Sequence, residues 1–130
     1  MRHGIDIVEV ERIAEMRRRH GERFLERCFT PDERAYASRS RRIDEHLAAR
    51  FAAKEAALKA IGTGWRNGIA WTDVEVVREA DGQPRLRWHG MARRIASSLG
   101  VTEWSLSMSH TSRYATASVI GVTRGSTDPS

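Results

Sequence analysis

Asp6 lies in a short β-branched run near the start of the chain. Glu55 lies in a helical stretch reading Arg50-Phe51-Ala52-Ala53-Lys54-Glu55-Ala56-Ala57-Leu58-Lys59-Ala60-Ile61, which ends in Gly62-Thr63-Gly64. Two carboxylates from separate elements, with cations beside one of them and a glycine-rich exit, suit a divalent cation bound to a phosphate. Magnesium takes one or two protein carboxylates and completes its octahedron with water and phosphate oxygens, so Asp6 and Glu55 form a suitable donor pair. Zinc fits poorly, because His3, His20, His46, His89 and His110 show no paired ligand spacing. Taken singly, Glu55 and Lys59 make an ordinary i,i+4 helix pair, and Lys54 reads as a lysine snorkelling from an apolar stripe. Only their combination with Asp6 and the glycine exit lifts them above that reading.

The elements that must position these groups follow from the sequence pattern. Gly4-Ile5-Asp6-Ile7-Val8 reads as a strand whose alternation sends Asp6 to the face opposite Ile5 and Ile7. From Glu9 the period turns helical, with Val10, Ile13, Ala14 and Arg17 on one face and an arginine cluster before Gly21. A second short helix carries Phe24, Leu25 and Cys28. Thr30-Pro31-Asp32-Glu33 combines an N-cap Thr, Pro at the first helical position and Glu at the third, the capping-box pattern. The basic segment 38–42 reads as a loop into a long helix from about Ile43 to Ile61, with Leu47, Phe51, Leu58 and Ile61 as its buried stripe.

Beyond Gly68 the chain turns to strands. Ile69 to Val77 and Arg85 to Trp88 predict a hairpin across Asp81-Gly82, and Met91 to Leu99 a helix ended by Gly100. Trp104, Leu106 and Met108 alternate with serines in a half-buried strand, His110-Thr111-Ser112 makes the turn, and Tyr114 to Val122 returns. The main elements run β-α-α-α-β-β-α-β-β. Such an order predicts an α+β fold, a mostly antiparallel sheet covered by helices on one side. A single domain is expected over residues 1–122, with a disordered tail over 123–130.

Composition narrows the partners. The chain of 130 residues carries 22 Lys and Arg against 17 Asp and Glu, and nearly all the positive charge is arginine, which favours bidentate contact with carboxylate or phosphate. The single Cys28 sits among Phe24, Leu25 and Phe29 and reads as a small buried thiol, which excludes a disulfide framework. No apolar run approaches the roughly 20 residues of a membrane helix, and Met1-Arg2-His3 leads into a strand instead of a signal peptide, so a cytoplasmic location is expected.

The motifs Gly4-Ile5-Asp6-Ile7-Val8, Arg50 to Ala56, Gly62-Thr63-Gly64, Gly82-Gln83-Pro84 and Ser107-Met108-Ser109-His110-Thr111 with Tyr114-Ala115 together resemble the holo-[acyl-carrier-protein] synthase family. The resemblance runs from Gly4 to about Val122. It implies the 4′-phosphopantetheinyl transferase fold and transfer of the phosphopantetheine arm of coenzyme A to a serine of apo acyl carrier protein. The implied product is adenosine 3′,5′-bisphosphate. It also implies a homotrimer with active sites at subunit interfaces.

On the matching positions, the resemblance makes Asp6 and Glu55 ligands of Mg2+, with Mn2+ as an alternative. It has Glu55 take the serine's proton, directly or through a metal-bound water, and Lys59 neutralise or protonate the leaving phosphate. Arg50, Lys54, Lys59, Gly62, Thr63, Gly64, Ser109, His110 and Thr111 would line the nucleotide, with Arg50 and His110 on the 3′-phosphate, His110 from a neighbouring subunit. Arg12, Arg19 and Arg23 match the positions that dock the acidic carrier, with Arg17 or Arg18 able to replace Arg19.

Two other readings use the same residues. A transferase dedicated to a polyketide-type carrier would share the whole site. An RNA- or DNA-binding module would use the arginine excess, but it calls for aromatic and basic residues interleaved on a sheet face, and it leaves Asp6 and Glu55 unexplained. No nucleic-acid partner is therefore expected. Trp65, directly after the glycine exit, is expected to pack, with adenine stacking as the alternative.

Overall fold

The computed structural model describes residues 1–123. Strand β1 (Arg2–Glu9) is followed by α1 (Val10–His20), α2 (Glu22–Cys28), α3 (Pro31–Ser38) and the long α4 (Ile43–Ile61). Then come a 3-10 turn (Trp71–Asp73), β2 (Val74–Arg78), β3 (Pro84–Trp88), α5 (Gly90–Ser98), β4 (Glu103–His110) and β5 (Tyr114–Val122). The α+β class holds, with a three-stranded antiparallel sheet ordered β1-β5-β4 and a separate β2-β3 hairpin. Four helices separate β1 from β2, one more than the β-α-α-α order counts, and the break between α1 and α2 falls at Gly21, φ 53°, where the sequence pattern divides them.

The capping box forms as the sequence requires. Thr30 Oγ1 accepts from the Glu33 N–H at 3.2 Å, and the Glu33 carboxylate accepts from the Thr30 N–H at 2.9 Å. The strand expected from Ile69 starts only at Val74. Asp73 accepts from the Ala70 N–H at 3.2 Å and closes a tight turn there instead. His110 belongs to β4, so the hairpin turn is Thr111 to Arg113. The tail expectation for 124–130 lies outside the described residues.

Helix α4 crosses the inner face of the three-stranded sheet. Ala48, Ala49, Ala52, Ala53, Ala56, Ala57 and Ala60 are all buried, so the helix is enclosed nearly all round. Their short side chains let the sheet come close. At Gly4 the approach is complete: a Cβ there would lie 1.9 Å from the Ala56 carbonyl oxygen. Gly4, Asp6 and Val8 therefore face α4, while Ile5 and Ile7 point outward at 59% and 66% exposure. Asp6 is aimed at the helix that carries Glu55.

Candidate functional site

Asp6 and Glu55 meet where β1 passes the C-terminal half of α4. The Lys59 ammonium donates to Asp6 Oδ1 at 3.1 Å and to the Ile5 carbonyl at 3.0 Å. Glu55, one turn earlier and half-buried, has its carboxyl pushed above the ordinary glutamate value, first by burial and further by the negative charge of Asp6. The Trp65 indole, Lys59 and Arg12 oppose that rise. Two carboxylates that repel each other across a small gap are a donor set that a hard divalent cation relieves. Among the described residues no third carboxylate, His or Cys completes a metal cage. A cation held by this pair would take its remaining ligands from water or phosphate oxygens, as magnesium does.

Lys54, expected at the nucleotide, lies elsewhere. Its ammonium is fully buried and donates to Glu33 Oε1 at 2.8 Å, to the Trp71 carbonyl at 3.2 Å and to the Val74 carbonyl. All three ammonium donors are occupied, so Lys54 neither snorkels nor reaches a ligand. Burial lowers its pKa and Glu33 opposes the shift. The Glu33 carboxylate also accepts from the Val76 N–H at 2.8 Å, so one buried pair ties α3, α4 and β2 together.

The glycine exit is a helix stop. Gly62, left-handed at φ 81°, gives its N–H to Leu58 and Lys59 carbonyls, and Thr63 gives its N–H to Leu58. Thr63 Oγ1 donates to the Gly64 carbonyl at 3.0 Å, and Gly64 turns the chain at φ 60°. The Gly62 and Thr63 amides thus close the helix and are not open to a phosphate.

A second cluster lies at the other end of α4. His110 Nδ1 is 3.0 Å from Glu45 Oε1, and the His110 ring packs edge-on against His46, which packs edge-on against Tyr36. The Arg50 guanidinium lies 4.3 Å over the Tyr36 ring, and Nη1 donates to the His46 carbonyl at 3.2 Å. Arg50 is 1% exposed, and its Nε has no partner. Arg39, Arg78 and Arg87 join it around a cleft of about 500 Å³ whose only carboxylate is Asp32. Glu45 and Glu55 are ten residues apart on one helix, about 15 Å along its axis. One chain therefore holds the two clusters apart. Ser109 is exposed on the outer sheet face, and Thr111 Oγ1 is taken up by the N–H groups of Arg113 and Tyr114.

The basic first helix divides. Arg17 forms a two-point bond with Asp44 at 2.7 and 3.0 Å, and Arg18 bonds Glu11 and Glu15. Arg19 lies 3.7 Å from Glu15. Arg12 and Arg23 instead rim a groove of about 570 Å³, with Arg27 and His20, over a floor of Met16, Phe24, Phe51 and Trp71.

The model of the 4′-phosphopantetheinyl transferase superfamily matches residues 2–119. The chain belongs to that superfamily. A holo-[acyl-carrier-protein] synthase of Koribacter versatilis is 55% identical over 117 residues, which are 90% of this chain and 94% of the relative. The crystal structure of the Neisseria meningitidis synthase superposes with TM-score 0.84 at 32% identity, covering 94% of this chain and 98% of the other. The Helicobacter pylori synthase in complex with coenzyme A gives TM-score 0.80 at 27% identity, covering 92% and 99%. Membership makes this chain an enzyme, a phosphopantetheinyl transferase. No helix among the described residues is long and apolar enough to cross a membrane.

In this transferase the sequence reading missed Tyr36, Arg78 and Arg87 around the arginine cleft. They come from three elements with unrelated periods, and no local pattern joins them. Trp65 packs on Trp71 with ring centres 3.7 Å apart, as expected. Its indole N–H faces the Glu55 carboxyl without completing a hydrogen bond and has no other partner.

Proposed function

We propose that this transferase moves the 4′-phosphopantetheine arm of coenzyme A onto a serine of apo acyl carrier protein, with Mg2+ or Mn2+ at Asp6 and Glu55, in the cytoplasm. The observation that carries the reading is the pair of partly buried carboxylates from β1 and α4 whose charges act on one another, beside the exposed Lys59 that bonds Asp6. The bound metal would neutralise charge developing on the pyrophosphate. The serine oxygen attacks the phosphorus that carries the pantetheine arm. The bond from that phosphorus to the bridging oxygen breaks, and adenosine 3′,5′-bisphosphate leaves. Glu55 takes the serine proton, and the burial that raises its pKa above the ordinary glutamate value makes it a stronger base than a surface glutamate. Lys59, 55% exposed, reaches the leaving phosphate.

The arginine cleft suits the nucleotide's 3′-phosphate, since Arg50 lines it with the guanidiniums of Arg39, Arg78 and Arg87 around it. The separation of about 15 Å between Glu45, which holds His110, and Glu55 supports sites shared between subunits of a homotrimer, with His110 of one subunit reaching the nucleotide of the next. The outer sheet face supports the same assembly: Ile5, Ile7 and Tyr114 are exposed there beside Ser105, Ser107 and Ser118. The groove rimmed by Arg12 and Arg23 suits an acidic helix with one apolar side chain to bury.

The test is intact-mass spectrometry of apo acyl carrier protein incubated with this protein and coenzyme A, with magnesium and then with EDTA. The expected result is a gain of one phosphopantetheine, with metal only. No gain on several carriers, including polyketide-type ones, would overturn the reading.

A further inference from the structure

The Phe51 ring lies one helical turn before Glu55 on the same face of α4. Trp71 stacks on Phe51 with centres 4.6 Å apart, and Trp65 lies tilted against Trp71 at 3.7 Å, so this aromatic shelf joins α4 to the loop whose Trp65 side chain acts on the Glu55 carboxyl. The shelf is fixed from behind, because Lys54 Nζ holds the Trp71 carbonyl. Positive φ at Gly62, Gly64, Asn67 and Gly68 bends the loop that delivers Trp65. The Trp65 Nε1 atom is buried and unpartnered, a state that favours any acceptor within reach.

We propose that the Trp65 indole N–H binds one oxygen of Glu55 and so leaves the other oxygen oriented toward the metal, which makes Trp65 a positioning residue for the transfer. The inference rests on the metal reading of Asp6 and Glu55. A ligating carboxylate whose second oxygen is hydrogen-bonded keeps a single orientation, and loss of such a partner typically weakens metal binding or activity by about 10- to 100-fold.

Trp65→Phe keeps a ring on Trp71 and deletes the donor. Mn2+ binding followed by electron paramagnetic resonance is expected to weaken about tenfold, with near-ultraviolet circular dichroism showing the aromatic stack retained. Affinity within twofold of the wild type would overturn the proposal. A second measurement does not depend on that variant folding. In the metal-free protein the Trp65 indole 15N–1H resonance is expected to move on Glu55→Gln, and an unmoved resonance would equally overturn it. Failure of the wild-type protein to bind Mn2+ would overturn the metal reading instead, and the indole resonance would then still decide whether Trp65 holds Glu55.

Discussion

Lys54 and Glu55 are adjacent in α4, and both are charged, yet the fold treats them oppositely. Lys54 points into the protein, where Glu33 and two carbonyls occupy every donor it has. Glu55 points to the half-buried edge beside Asp6, where its oxygens face the loop and solvent. The same turn of helix thus supplies a structural ion pair and an unsatisfied ligand. Residue type and position in a motif do not separate these roles. What separates them is whether the hydrogen-bonding capacity is already filled within the chain.

The largest effect should come from breaking the filled side. Lys54→Met leaves Glu33 charged and buried, which should cost about 3–5 kcal/mol in urea unfolding. The double variant Lys54→Met with Glu33→Gln should recover most of that loss. Glu55→Gln should do the reverse, abolishing transfer at nearly unchanged stability. If Lys54→Met unfolded normally and only weakened coenzyme A binding, the contrast between the two residues would collapse.

Next in size is Gly4→Ala, which tests how the open side is assembled. The added methyl would strike the backbone of α4 at Ala56 and Ala60, so strand and helix must separate. Overpacking of this kind costs about 1–3 kcal/mol, and it moves Asp6 away from Glu55. Transfer should fall more than stability does. Retained Mn2+ affinity with wild-type kcat would show that the Gly4 contact does not set the carboxylate pair.

Much of this was legible in the sequence where the cause is local. The capping box at Thr30 and Glu33 marked the start of α3, and the Gly62 stop and the β-branched run of β5 marked their elements closely. Asp6 and Glu55 were singled out by their combination with Lys59 and the glycine exit, and their metal role by the family motifs around them. The partner of Lys54 was not legible, because Glu33 lies 21 residues away and its own capping role hid the second one. The cleft around Arg50 joins α3, α4, β2 and β3, a tertiary fact that no period encodes. The alternation in β1 did separate Asp6 from Ile5 and Ile7. Which face was interior depended on Gly4 and the alanines of α4.

A smaller effect is expected at the basic helix. Charge reversal of Arg12 and Arg23 should raise KM for carrier protein about tenfold while leaving KM for coenzyme A unchanged, because rim charges act on encounter with a partner. Reversal at Arg17 should instead loosen α1 from α4, since its two bonds to Asp44 hold them. Equal rises for both substrates in the Arg12 and Arg23 variant would remove the groove from carrier docking.

The smallest effect is the most direct reading of the open side. Burial and the charge of Asp6 hold the Glu55 pKa above its ordinary value of 4.5. The folded protein therefore binds this proton more tightly than the unfolded chain. Between the ordinary and the folded value, its contribution to stability falls as pH rises. Metal binding needs the carboxylate, so Mn2+ affinity should fall on acidification from a higher pH than an exposed glutamate would give. In 13C titrations of the metal-free protein, Asp6→Asn should lower the Glu55 midpoint without restoring the ordinary value, because burial is the larger cause. Trp65→Phe should raise it by removing a donor to the charged form. A wild-type midpoint at or below 4.5 would mean that Glu55 is solvated like a surface residue, and its contrast with Lys54 would then be one of exposure alone.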